Sequence, residues 1–190
     1  MNSSTSPTST APGAADFSAR LRPALPGIFF AVLTLLFGFG LGIVFGVNED
    51  AIKSQLKASA VAGRDTVYKG NDAAITLVLE RSWTYMKRAH LHAGGLGANA
   101  LVLTLLLLVL GTSAGWTRAI SLALGLGGLG YSVYWMWAGF RAPVLGGTGA
   151  AKESLKWLAM PTSGAVLLAT IAVAVLVAGA LLKGRSQAEK

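Results

Sequence analysis

The chain contains no cysteine. That excludes disulfides, zinc–thiolate sites, iron–sulfur clusters and thiol nucleophiles together. Charge is scarce as well: 13% of the 190 residues are Asp, Glu, Lys or Arg, about half the ~25% of an ordinary soluble domain. Two histidines and eight acids leave little material for acid–base chemistry. What is present in quantity is apolar, with 53% hydrophobic residues and a mean hydropathy of +0.58. A soluble chain of this length cannot hide so much apolar surface. The composition therefore excludes an ordinary cytosolic enzyme and a disordered tail protein, and makes the bilayer the solvent.

The distribution of the apolar residues predicts an all-α polytopic membrane protein, a bundle of four transmembrane helices with a helical extramembrane loop. Residues 1–26 are rich in Ser, Thr, Pro, Ala and Gly and read as a disordered polar tail. Residues 27–185 form the membrane domain, and 186–190 a C-terminal tail. Spans are expected at about 28–47, 89–110, 120–140 and 158–182, each long enough for a hydrocarbon core of roughly 30 Å. No alternating barrel pattern is visible, and a backbone in lipid must satisfy its own hydrogen bonds, so the spans are helices. Trp83, Trp116, Trp135, Trp137 and Trp157 fall at or near predicted helix ends, as an interfacial belt does. Pro161 falls in the first turn of the last helix, where its missing N–H is harmless.

Residues 48–88 form the extramembrane insertion. Asn48 is suited to cap a helix over 49–62 that stops at Gly63, with Glu49 and Lys53 paired at i,i+4. A second helix starts near Asp72 and runs without a breaker into the second span. Four spans put both termini on one face. The loop face carries more basic residues but also six acids, so net charge balances between the two faces; Arg20 and Arg22 flank the first span, however, while Asn48, Glu49 and Asp50 follow it. The expected location is a bacterial inner membrane with both termini cytoplasmic.

Glycine is the second abundance, at 24 residues. Gly125, Gly127 and Gly130 match the dinucleotide pattern G-x-G-x-x-G in spelling. That pattern needs a strand before it and a helix N-terminus after it, and here it lies within an apolar helix. Close helix packing is the expected role, for Gly127 as for the zipper-like series Gly38, Gly42 and Gly46 and for Gly94 and Gly97.

His90 and His92 sit where the second span enters the membrane. At i,i+2 their side chains diverge by about 200° on a 3.6-residue helix, so they cannot chelate one metal. His90 shares a side with Gly94 and Gly97, which leaves a flat slot in which a haem could lie with His90 as its iron ligand. His92 aligns with Arg88, Gly95 and Asn99, a polar stripe expected to face the bundle interior or an aqueous cavity. Arg88 and Arg141 are placed to neutralise propionates or another anionic headgroup. The alternative for both histidines is a structural role at the interface.

The run Arg88-Ala89-His90-Leu91-His92-Ala93, at the start of a Gly-rich apolar helix, resembles the helix bearing a haem-ligand histidine in haem–copper oxidase-like membrane proteins. The resemblance spans about ten residues and implies a b-type haem ligated by His90 or His92. The chain departs from that family in having no further histidine for a second axial ligand or a copper site, and only four spans.

A sequence pI near 10.1 does not point to nucleic acid, because the basic residues stand singly or in pairs without a basic, aromatic-interleaved face. They read as anchors to anionic lipid headgroups. A channel or transporter is the most distant reading, because Asn99 is the only strongly polar mid-span residue and ion coupling needs more; two functions stand ahead of it. The leading one is a small accessory or structural subunit of a membrane assembly, such as a respiratory one, without catalytic residues and associating with membrane lipids, other membrane subunits or itself. The other is an electron-transfer membrane protein that binds haem or quinone through His90 and His92, with Arg88, Asn99 and Arg141 around them.

Overall fold

The computed structural model describes the backbone of residues 12–188 and the side chains of 17–183. Five helices follow one another: α1 (Pro12–Ala62), α2 (Asp72–Val109), α3 (Ala114–Arg141), α4 (Thr148–Ser154) and α5 (Lys156–Ala188). The described residues contain no strand. α1, α2, α3 and α5 are each long and apolar enough to cross a membrane. The protein is an all-α integral membrane bundle.

α1 has 51 residues, about 77 Å at 1.5 Å per residue, far more than one bilayer crossing. Asn48 interrupts it with φ −123° and ψ 22°, so the helix bends where the apolar run meets Glu49 and Asp50. The expected helix over 49–62 is thus present, joined to the first span through Asn48 rather than separated from it. Glu49 and Lys53 form the expected ion pair. At its other end α1 departs from expectation. Residues 12–26, read from composition as a disordered tail, are helical with Pro23 and Pro26 inside the helix; residues 1–11 lie outside the described part. The physical reason is docking: Ala24 is fully buried, and Gly27 presses its backbone onto that of Ser121. At the C-terminal end α5 continues through 186–188, while 189–190 are not described.

Asn71 caps α2 by accepting a hydrogen bond from the Ala74 N–H at 3.0 Å. The turn between α1 and α2 is closed by Arg64, which donates to both carboxylate oxygens of Asp72 at 2.8 and 2.9 Å. That hydrogen bonding raises the pKa of the guanidinium above its usual value. Lys69 and Gly70, at φ 52° and 74°, make the left-handed turn that brings Asn71 into capping position.

The core has four parts in series. Ala31, Ala100, Leu107, Ile120, Leu124, Ala169 and Val173 fill the bundle toward the termini. Leu41, Phe45, Met86 and Ala89 join α1 to α2, with Leu56 above them. Tyr85, Tyr134, Ala138 and Leu155 join α2 and α3 to the junction of α4 and α5. Beyond these lies a cap in which Ala60, Tyr68, Ile75 and Val78 meet Ala142 and Ala151. The Tyr68 hydroxyl donates to the Pro143 carbonyl at 2.6 Å across this cap, and burial pushes its pKa up. The short helix α4, for which the sequence offers no periodic signal, is the lid of the cap. α5 begins early enough that Pro161 lies in its second turn rather than its first.

Candidate functional site

His90 sits in the seam between α1 and α2. Its Nδ1 lies 2.8 Å from the Gly38 carbonyl; because a carbonyl only accepts, Nδ1 carries a proton and donates it there. The ring fits there because Gly42 has no side chain: a Cβ at Gly42 would stand 2.9 Å from His90 Cε1. One turn earlier, a Cβ at Gly38 would meet the Ala93 Cβ at 3.0 Å and the Gly94 N at 3.1 Å. The two glycines therefore serve one purpose, the approach of α2 with its imidazole.

His92 points the other way, toward α3, as the i,i+2 spacing requires. Its Nδ1–H donates to the Arg88 carbonyl at 2.8 Å, and its ring packs on Tyr131 and Trp135 at centroid distances of 5.3 and 5.7 Å. The Arg88 guanidinium lies over the rings of Trp135 and Tyr85 at 5.0 and 5.4 Å. Tyr134 completes the group, stacked on Tyr131 and edge-on to Trp135. This is a cation held on aromatic faces at the membrane end of α2. Inside it the Trp135 Nε1 is buried with no hydrogen-bond partner among the described residues, a donor available to a water or a ligand acceptor.

The other expected site residues distribute unevenly. Arg141 is the last residue of α3, six positions beyond Trp135 and so about 9 Å further along the helix, away from the Arg88 cluster. Asn99 is exposed on α2, not turned into the bundle. On α3, Tyr131 and Trp135 reach across to His92 and Arg88, whereas Gly128 one turn on receives Leu96, and Asn99 stays outside this packing.

Of the glycines expected to pack helices, Gly97 receives the Leu35 side chain and the Ala31 carbonyl, and Gly127 the Val166 side chain and the Thr162 carbonyl. Gly46 has open space around it, and so does the Cβ direction of Gly94. Gly46 is past the crossing because the α1–α2 seam at that level is held by large residues, Phe45 against Trp83 at 5.2 Å. The G-x-G-x-x-G residues all pack: Gly125 on α1 at Gly27 and Ala31, Gly127 and Gly130 on α5. Gly27 and Gly139 are close-approach positions that the small-residue spacing alone did not single out.

A feature beyond the sequence reading is a groove of about 310 Å³ between the outer parts of α1 and α2, lined by Lys53, Leu56, Lys57, Leu79, Glu80 and Trp83. Lys53 stands 5.2 Å from the centroid of the Trp83 ring. Leu56 with Leu79, and Lys53 with Trp83, pair only once the hairpin forms, so no linear motif announces them. Trp83 and Trp135 belong to packed seams, whereas Trp116, Trp137 and Trp157 are exposed as a membrane belt requires.

The architecture thus defines a class, a polytopic helical membrane protein whose single-chain bundle carries a His–Arg–aromatic cluster at one end. No family model, curated protein or solved structure matches the chain.

Proposed function

We propose that this protein is an accessory or structural subunit of a membrane assembly, without a catalytic centre of its own. The observation that carries the reading is the engagement of the residues most suited to chemistry. His90 is wedged between α1 and α2 on the Gly38 carbonyl. His92 and Arg88 are stacked into the Tyr131–Trp135 cluster between α2 and α3. Both act as pins between helices, which is what a scaffold needs. The proposed location is a bacterial inner membrane with the termini cytoplasmic, supported by Arg20 and Arg22 before the first span and Asn48, Glu49 and Asp50 after it. Lipids are its immediate partners and other membrane subunits its functional ones.

The rival reading, a haem or quinone site, has one observation on each side. Holding Nδ1–H of His90 on a carbonyl orients Nε2 as a metal-ligating imidazole requires. Against it, the Leu35 side chain and Ala31 carbonyl fill the space at Gly97, where the macrocycle would lie.

Two measurements on the detergent-extracted native protein test the proposal. The accessory subunit is expected to migrate within a larger assembly, and migration only as the chain itself or a small homo-oligomer overturns the reading. The purified chain is expected to give no reduced-minus-oxidised haem spectrum; stoichiometric haem lost in His90→Ala replaces the proposal with its rival.

A further inference from the structure

Asn99 is a strongly polar side chain that the packing of the bundle does not engage. It lies eleven residues from Arg88 and eleven from Leu110, about 16 Å from each, at the middle of the second span. It is exposed, and its amide makes no hydrogen bond among the described residues. Facing hydrocarbon, an unpaired amide loses the hydrogen bonds that water would supply, with nothing in their place. Polar groups at such depth pair with protein.

The surface around Asn99 is shaped for a helix. Gly95, one turn away on the same ridge, and Ala98 beside it are both exposed, with open space at the Gly95 Cβ position. Small residues there let a second backbone come close. Leu91 and Val102, 66% and 62% exposed, border the small residues above and below.

We infer that this face of α2 is a contact between two copies of the chain, related by a two-fold axis along the membrane normal, with each Asn99 amide hydrogen-bonded to the partner's Asn99. The choice of a second copy rests on depth and on chemistry. Two chains inserted with the same topology place residue 99 at the same level by necessity, and a two-fold axis beside Gly95 and Ala98 brings the two residues together. The carboxamide is self-complementary, since it donates and accepts, so identical side chains satisfy one another without a third group. The dimer does not rest on the accessory role: neither migration within a larger assembly nor a haem spectrum bears on it.

The test uses the full chain, natively free of cysteine, diluted into phosphatidylcholine–phosphatidylglycerol vesicles. Ala98→Cys and Val102→Cys should give disulfide-linked dimers on mild oxidation, while Leu168→Cys, equally lipid-facing on α5, should not. Energy transfer between chains labelled at Ser54→Cys should report the same association, weakened roughly 3- to 20-fold by Asn99→Leu, the range of single interhelical hydrogen bonds in membranes. Asn99→Gln, which keeps the carboxamide, should recover part of the loss. The inference is overturned if Ala98→Cys and Val102→Cys cross-link no better than Leu168→Cys, or if energy transfer is the same in Asn99→Leu as in the parent. It is equally overturned if the parent is monomeric in vesicles.

Discussion

At the scale of single residues, Tyr68 shows how the cap is closed. Its hydroxyl donates to the Pro143 carbonyl, 75 positions away, from a nearly buried position. Tyr68→Phe keeps the ring and orphans the carbonyl, so the unfolding free energy should fall by about 1–2 kcal/mol, read from denaturant titration in detergent. Burial raises the Tyr68 pKa, so this contribution is fully present below the ordinary tyrosine range and is lost as pH rises through the higher folded value. An unchanged midpoint in Tyr68→Phe would mean that water replaces the bond at no cost. His90 makes the comparable test within the membrane. His90→Ala removes a ring that fills the notch at Gly42 and a hydrogen bond to Gly38, and should cost roughly 2–4 kcal/mol; His90→Phe should recover only the filling.

At the scale of helices, glycine substitutions separate packing from mere composition. A side chain at Gly125 would run into the backbone of Gly27 and Ala31, whereas one at Gly46 meets nothing. Gly125→Ala should therefore destabilise by roughly 1–3 kcal/mol, and Gly46→Ala should be neutral or stabilise by about 0.5–1 kcal/mol through helix propensity. Equal effects at the two sites would remove the close crossing of α1 and α3. Only part of this pattern was legible in the sequence. The spans, the helix over 49–62 and the start near Asp72 are local facts, carried by apolar runs, Asn48, Gly63 and a stretch free of breakers. Which glycines meet a neighbour depends on helix rotation, so Gly38 and Gly46, equivalent on paper, separate in space. Asn99 illustrates the same limit: its stripe with Arg88 and His92 is real, but only the upper residues face long side chains on α3. α4 escaped because seven residues are too few to show a period, and its helix is held by burial of Ala151 and Leu155 in partners far along the chain.

At the scale of the molecule, the Tyr68–Pro143 bond joins the α1–α2 connection to the α3–α4 connection, so both lie on one face of the membrane. Single cysteines at Ser54 and Ser154 should react with an impermeant maleimide from one side of sealed vesicles, and a cysteine at Ser113 from the other. Labelling of Ser54→Cys and Ser113→Cys from the same side would break the even-span arrangement. The interior is also assembled unequally. α1, α2 and α3 pack on one another in all three pairings, while α5 is received mainly by α3, through Gly127 and Gly130. The mutual packing of the first three helices therefore lies wholly within residues 12–141, ahead of the last span in the chain, and that span is added to it chiefly through one neighbour.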